Sequence, residues 1–286
     1  MNFRTDLALE RRELIHDSVP DGVKFEEKLE GKTKITRICI ETKEGEQALG
    51  KPCGNYITLE IPPLPANPNE SENEIELIAH EISELIPKQG CVLVAGLGNH
   101  NITPDAVGPK TVEFTLSTRH VADSMPQFNF RPVAAVAPGV MGQTGIETGD
   151  VIRGICDKIQ ADCVIAVDAL ASRSTHRLGC TVQISDTGIS PGSGVGNSRR
   201  ELSEKTLGVP VIAVGVPTVV DAATVAADAL KSGGEEFIDE QKLSGLMVTP
   251  REIDSVISSV SKVLALAIGR ALQPDLSVSD LYFLTQ

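Results

Sequence analysis

Tryptophan is absent from this chain of 286 residues, and the only other aromatics are two tyrosines and seven phenylalanines. A core with so few rings must be filled by Val, Ile, Leu and Ala, which suits buried parallel strands covered by helices. Basic charge is also short. Lys and Arg number 26 against 39 Asp and Glu, for a net charge of −13 and a pI of about 4.9. Phosphate backbones and anionic membranes call for a basic face, so neither nucleic acid nor a membrane surface is expected as a direct partner. The plain reading of the charge is solubility. No run of 18 apolar residues occurs, so no membrane span is expected. The opening MNFRTDLALERREL has no apolar stretch of the signal-peptide kind. The six cysteines (Cys39, Cys53, Cys91, Cys156, Cys163 and Cys180) include no CxxC pair, which removes the usual zinc and thioredoxin-type signals. A reducing cytosol is the expected compartment. Cys91 and Cys163 lie in apolar runs and read as small buried hydrophobes; a catalytic cysteine is the competing role.

What is present is regular alternation. Residues 1–30 are charged and weakly patterned, with LALERRELIH as a possible short helix. Residues 35–40 and 56–61 read as strands, a hairpin-like edge with a long loop between them. PPLPANPNES at 62–71 is a loop, and NEIELIAHEISELI carries apolar residues at helical spacing. Strands are then expected at 91–95, 133–137, 163–167, 180–185 and 210–214. Helices are expected at 105–118, 147–160, 198–207, 219–231 and 250–272, the last with Pro250 in its first turn and Thr249 as N-cap. Strands alternating with helices mean βαβ units. The expectation is a single α/β domain of three layers, a mostly parallel twisted sheet flanked by helices. In such sheets, sites form at the carboxyl ends of strands, near the point where strand order reverses.

Three strand ends carry unusual residues. GLGNHNITPDAVGP at 96–109 has two glycines that allow a tight turn, followed by Asp105 at what looks like a helix opening. Asp105 reads either as an acidic residue favoured by the helix dipole or as a site carboxylate. A dinucleotide loop is a weaker alternative, since Asn101 stands where GxGxxG needs its third glycine. VIAVDALASRS at 164–174 ends an apolar strand on Asp168, a structural cap or a second site carboxylate. If the two meet, they cannot both ionise easily. One proton is shared, and the pair can activate water while protonating a leaving amine. The third segment, SDTGISPGSGVGNSRREL at 185–202, contains the triplet Asp186-Thr187-Gly188 familiar from pepsin-like proteases. Those enzymes are all-β and need two such triplets, so the match is discounted. The glycines of 188–196 read as a mobile loop; a phosphate cradle lacks the following GK[ST].

Other chemistries have less support. The histidines are His16, His80, His100, His120 and His176, with no HExxH, and there is no GxSxG elbow. His100 lies beside the first glycine loop and reads as a surface histidine or a group touching the site. A divalent ion held by Asp105, Asp168 and a histidine stays conceivable, as does a non-enzymatic nucleotide module on GLGN.

TDLALE at 5–10, GLGNHNITPDAVGP at 96–109, VIAVDALASRS at 164–174, DTGISPGSGVGN at 186–197, VPVIAVGVPTVVDA at 209–222 and LMVTPREID at 246–254 together resemble the germination protease of spore-forming bacteria. The motifs span nearly the whole chain in the expected order. The resemblance implies a metal-independent aspartic-type endopeptidase without cofactor, with a fold similar to hydrogenase maturation proteases and with Asp105 and Asp168 as its catalytic pair. It implies small acid-soluble, DNA-coating spore proteins as substrates, cut during germination after an acidic and before an apolar residue, in the cytoplasm of the spore core. It also implies a homotetrameric zymogen that trims itself, here between Asp6 and Leu7. Residues 1–6 are then a propeptide and 7–286 the single α/β peptidase domain. A charged, weakly patterned amino-terminal segment is where cleavage is tolerated; an N-capped helix with Asp6 in its first turn is the other reading of TDLALERREL.

Overall fold

The apolar runs fold as the centre of one sheet, because strands buried on both faces must be apolar throughout. The computed structural model describes residues 5–15, 19–65, 67–122, 124–192, 199–229, 240–243 and 245–285. The strands are β1 (Val23–Glu30), β2 (Thr33–Ile40), β3 (Gly54–Glu60), β4 (Val92–Gly96), β5 (Val133–Val136), β6 (Cys163–Ser172), β7 (Thr181–Ser185), β8 (Val211–Asp221) and β9 (Met247–Val248). Their order is β1-β2-β3-β7-β8-β6-β4-β5, with β9 beside β8. The centre, β8-β6-β4-β5, is parallel, as expected. Over the whole sheet the mostly parallel expectation does not hold: three pairings are parallel and five antiparallel. The antiparallel pairs lie where β1, β2, β3 and β7 follow one another and at β7–β8 and β8–β9; the two-residue β1–β2 connection is too short for a parallel crossover.

Helices cover both faces. On one face α3 (Glu72–Leu85), α4 (Val107–Glu113) and the long helix Ile253–Leu272 pack on Val92, Val94, Ile165, Val167, Ile212 and Val214. On the other, the helix Thr148–Ile159 packs on Leu93, Ala95, Val164 and Ala166. Beside it, α1 (Ala8–Glu13) and α2 (Lys43–Leu49) cover the antiparallel end, with Ala8 and Leu49 against Ile38, Ile40 and Tyr56. Each fully buried Ile or Leu stabilises the fold by roughly 1.5–3 kcal/mol. The long helix has the length and composition of a membrane span, with mean hydropathy 1.5; its Val260, Leu264 and Ile268 lie in the core instead.

Several expectations shift in detail. Residues 1–30 contain a full strand, β1, whose solvent-facing Glu26, Glu27 and Lys28 hid it; charge on an edge strand blocks unwanted pairing. Its turn is Gly31-Lys32, with Gly31 at φ 59°, a two-residue hairpin signal. The loop between 40 and 56 holds α2, capped by Thr42 and ended by Gly50 at φ 62°. Helix 105–118 is a 3₁₀ turn, Thr103–Asp105, followed by α4. Thr249 is not an N-cap: its hydroxyl donates to the Thr218 carbonyl, and the helix begins three residues after Pro250 with Glu252 as cap. Part of the 188–196 loop, the first residue of helix 198–207 and His16 lie outside the described residues.

The sheet positions the site through close packing at the ends of β4 and β6. The reversal of strand order falls between them, since β4 leads to β5 on one side and β6 lies on the other. Here Gly108 of α4 sits against the backbone. A Cβ on it would lie 2.3 Å from the Leu97 carbonyl oxygen and 2.4 Å from both the Leu97 nitrogen and the Val167 carbonyl oxygen. Gly108→Ala is therefore expected to destabilise the protein by about 2–3 kcal/mol, because backbone cannot yield as a side chain can. Gly154→Ala, in a helix with open space around it, is expected to stabilise by about 0.5–1 kcal/mol. Urea midpoints of the two variants against the parent would check both signs.

Candidate active site

Asp105 and Asp168 arrive from adjacent parallel strands. Asp105 follows β4 in its 3₁₀ turn, and its Oδ2 accepts from the Asn99 N–H at 2.7 Å. Gly98, at φ 108°, makes this possible, because a Cβ there would lie 2.0 Å from the Asp105 carbonyl oxygen. The carboxylate thus braces the glycine loop rather than serving the dipole of α4. Asp168 lies within β6 and is 4% exposed. Its Oδ1 accepts from the N–H of Ala169 at 2.9 Å. Among the described residues neither aspartate has an ion-pair partner.

That setting raises both pKa values above the usual aspartate range. Burial does so for Asp105, against the Asn99 N–H bond that favours its charge. Burial raises Asp168 well above its usual value, and the charges of Asp105 and then Asp6 push it further. The half-buried Asp105 and Asp6 carboxyls thus lie near enough to the buried Asp168 to act on its charge.

Asp6 gets there because the amino-terminal segment lies along the sheet ends. Its N–H donates to the Ala171 carbonyl at 2.9 Å, and the Ala171 N–H donates to Asp6 Oδ2 at 2.9 Å. Its own carbonyl oxygen accepts from Lys51 Nζ at 2.8 Å and from Gln183 Nε2 at 3.1 Å. Gln183 Oε1 accepts from the Ala8 N–H at 2.7 Å. Leu7 is 0% exposed, and Thr5, Ala8, Leu9 and Glu10 are buried. Glu10 accepts from the N–H groups of Arg173 and Ser174 at 2.6 and 3.0 Å and from Arg177 Nη1 at 3.0 Å, with Thr5 Oγ1 also donating to it. Arg177 further holds Glu13 and Glu60. The charged, weakly patterned segment is thus largely buried over residues 5–10, and Asp6 is not in a first helical turn, since α1 starts at Ala8 with Leu7 as cap.

The remaining candidates fall elsewhere. His100 is exposed and pairs with Glu113 at 3.5 Å. Asp186 accepts from the backbone and side-chain nitrogens of Asn55 at 2.7 and 2.6 Å, which ties β7 to β3 and gives the discounted triplet a structural role. Cys163 is buried in the core, and burial pushes its thiol up to about 12, leaving it inert as a nucleophile. Among the described residues no group of three or more His, Cys, Asp or Glu is gathered to hold a metal ion.

Residues 5–245 match the sequence profile of the family described as germination protease. The chain belongs to the germination protease family. It is similar to the germination protease of Clostridium perfringens, 45% identical over 98% of each chain. The Caldanaerobacter subterraneus subsp. tengcongensis protein is 44% identical, covering 98% of this chain and 97% of its own. That of Bacillus pumilus is 46% identical over 86% of this chain and 72% of its own. Among solved structures, a NiFe hydrogenase maturation protease from Thermococcus kodakarensis aligns over 68% of this chain and 99% of its own, at 16% identity and a TM-score of 0.41. A likeness that loose carries no argument. Family membership makes the chain a peptidase.

Sequence reasoning missed the groups that contact residues 5–10, among them Lys51, Ala171, Gln183, Arg177 and the N–H groups at 173–174. Gln183 alone left a trace, as a polar residue inside the apolar strand CTVQIS.

The raised pKa of Asp168 has a sign for stability. Its folded-state value lies above the ordinary 3.8, so between the two the folded chain binds more protons than the unfolded one, and stability falls as pH rises. Asp168→Asn removes that penalty. It is expected to raise Tm by at least about 2 °C at pH 8, with the gain vanishing well below the ordinary 3.8, where aspartate is protonated in both states. Thermal melts in both pH ranges would check it.

Proposed function

We propose that the chain is an aspartic-type, metal-independent endopeptidase in which Asp105 and Asp168 share one proton, and that it is made as a zymogen processed between Asp6 and Leu7. The observation that carries this is the approach of two half-buried carboxyl groups, Asp105 after β4 and Asp6 of the amino-terminal segment, to the buried Asp168 of β6. Both raise its pKa. Crowded, desolvated carboxyls keep a proton that each alone would lose.

The chemistry then balances within the pair. The ionised member takes a proton from water as its oxygen bonds to the Asp6 carbonyl carbon. The protonated member gives its proton to the Leu7 nitrogen as the C–N bond breaks, and the pair ends with one proton again. The bond lies after an acidic and before an apolar residue, and Leu7 fills a fully buried position, so the same preference is expected in substrates. Family membership supports small acid-soluble, DNA-coating spore proteins as those substrates. We further assign, on the family resemblance, a homotetrameric zymogen acting in the cytoplasm of the spore core, with no nucleic-acid or membrane contact of its own. Residues 1–6 form the propeptide and 7–286 the peptidase domain.

The test is incubation of purified protein with a small acid-soluble spore protein, with EDTA present throughout. Asp105→Asn and Asp168→Asn are each expected to cut at least about 100-fold more slowly, with unchanged circular dichroism. A variant that cuts at the parent rate would make its aspartate structural; loss of parent activity in EDTA would point to a metal. The parent rate is expected to be highest at mildly acidic pH and to fall as pH rises through the raised pKa of the pair, where the shared proton leaves. Equal processing at pH 5 and pH 9 would sink the shared-proton mechanism.

A further inference from the structure

We infer that Lys51 and Gln183 are the carbonyl-polarising donors of this site: together they hold the oxygen on which negative charge develops when the bond after Asp6 is attacked. The inference rests on the reading of Asp6–Leu7 as the bond to be cut. Both side chains converge on that peptide's carbonyl oxygen, Lys51 Nζ at 2.8 Å and Gln183 Nε2 at 3.1 Å. Two preorganised donors on one carbonyl oxygen, one of them cationic and half-buried, are what an oxyanion site requires.

Sheet register puts Gln183 on the face of Asp168. Asp168 on β6 and Gln183 on β7 both stand opposite Gly215 on β8. Paired residues in neighbouring strands point to the same face. Val182 and Ile184 belong to the core on the opposite face, so Gln183 points with Asp168. Strands are about 4.8 Å apart, so the two backbones are about 10 Å apart, with a residue lacking a side chain between them. The Leu170 side chain packs over Gly215, and the Asp6–Leu7 peptide is held on either side, by Gln183 of β7 and by Ala171 of β6. Gln183 is fixed in turn by the Ala8 N–H on its Oε1, which leaves its amide N–H₂ aimed at the carbonyl. Lys51 comes from the loop after α2, released by the left-handed turn at Gly50. Burial lowers its pKa and the nearby charge of Asp6 raises it. It could therefore serve either the Asp6 carbonyl, through its hydrogen bond, or the Asp6 carboxylate, through charge alone.

The two roles separate in a double-mutant cycle on self-processing of the full chain, read as a first-order rate, with the new amino terminus mapped by mass spectrometry. Lys51→Met keeps the length and removes the donor. The expected result is a product beginning at Leu7, with Lys51→Met slowing processing about 100-fold or more in both the parent and the Asp6→Asn background. Gln183→Met is expected to slow it as well, with circular dichroism unchanged for all variants. A product beginning elsewhere would overturn the assignment of the cut bond, and this inference with it. A product at Leu7 with Lys51→Met within threefold of the parent would overturn the donor role alone. Slowing in the parent but not in the Asp6→Asn background would make Lys51 a reader of the acidic side chain instead. A folded Lys51→Met chain in which residues 5–10 become protease-accessible before any processing would make the contact one of docking, and would also overturn the inference.

Discussion

The arrangement depends on one steric constraint, the contact of Gly108 with the backbone at the ends of β4 and β6. Only a residue without a Cβ lets α4 come this near, and the turn that carries Asp105 leads directly into α4. Gly98 sets the other side of the same loop. The two glycines convert parallel neighbours into a fixed meeting of carboxyl groups. The Leu97 N–H bond to the Val167 carbonyl, at 2.8 Å, ties the exit of β4 to the residue before Asp168. The rest of the sheet serves to hold these strand ends, which is why its most apolar strands are those beneath the site.

Such a meeting is unfavourable by itself. Burial and like charge both oppose ionisation of Asp168, and no basic side chain among the described residues relieves it. A structural aspartate would be expected to have a cation or several N–H donors; Asp168 accepts from the N–H of its own neighbour. By contrast, Glu10, just as buried, is surrounded by two backbone N–H groups, a hydroxyl and the Arg177 guanidinium. The protein can satisfy a buried carboxylate and does so within the same segment. An unrelieved buried carboxyl of this kind supports the proposed role of Asp168 as a group whose proton is used.

Much of this was legible in the sequence because it follows from local patterns. CVLVA and CVIAV are apolar without interruption and read as central strands, and the rule that sites sit at their carboxyl ends singled out Asp105 and Asp168 as candidates, whose roles as a pair came from the family resemblance. The TDLALE motif led to Asp6 and Leu7. What stayed hidden depends on distant pairing. β1 looked like solvent-exposed charge, since an edge strand buries only alternate residues. Lys51 carries no signal in KPCG, because its meaning comes from a segment 45 positions earlier folding back onto it. The burial of residues 5–10 ran against a charged composition, and the charges proved to be partners: Glu10 and Glu13 both meet Arg177, far along the chain.

That last cluster bears on activation. Glu10 and Glu13 belong to α1, on the carboxyl side of the Asp6–Leu7 bond, and Ala8 is held by Gln183. On the proposed reading, cutting the bond separates residues 1–6 from the chain but leaves α1 anchored by Arg177 and packed on Ile38, Ile40 and Tyr56. A substrate needs the positions that Leu7 to Glu10 occupy. Hydrolysis alone therefore does not empty the groove; α1 must also leave its ion cluster. Removing residues 1–6 ends the pairing of Asp6 with Ala171 and takes away Thr5, one of the donors to Glu10. It also creates a new ammonium group at Leu7. The cut thus weakens the hold on the segment that follows it, and that coupling is how one peptide bond can govern access to the whole site.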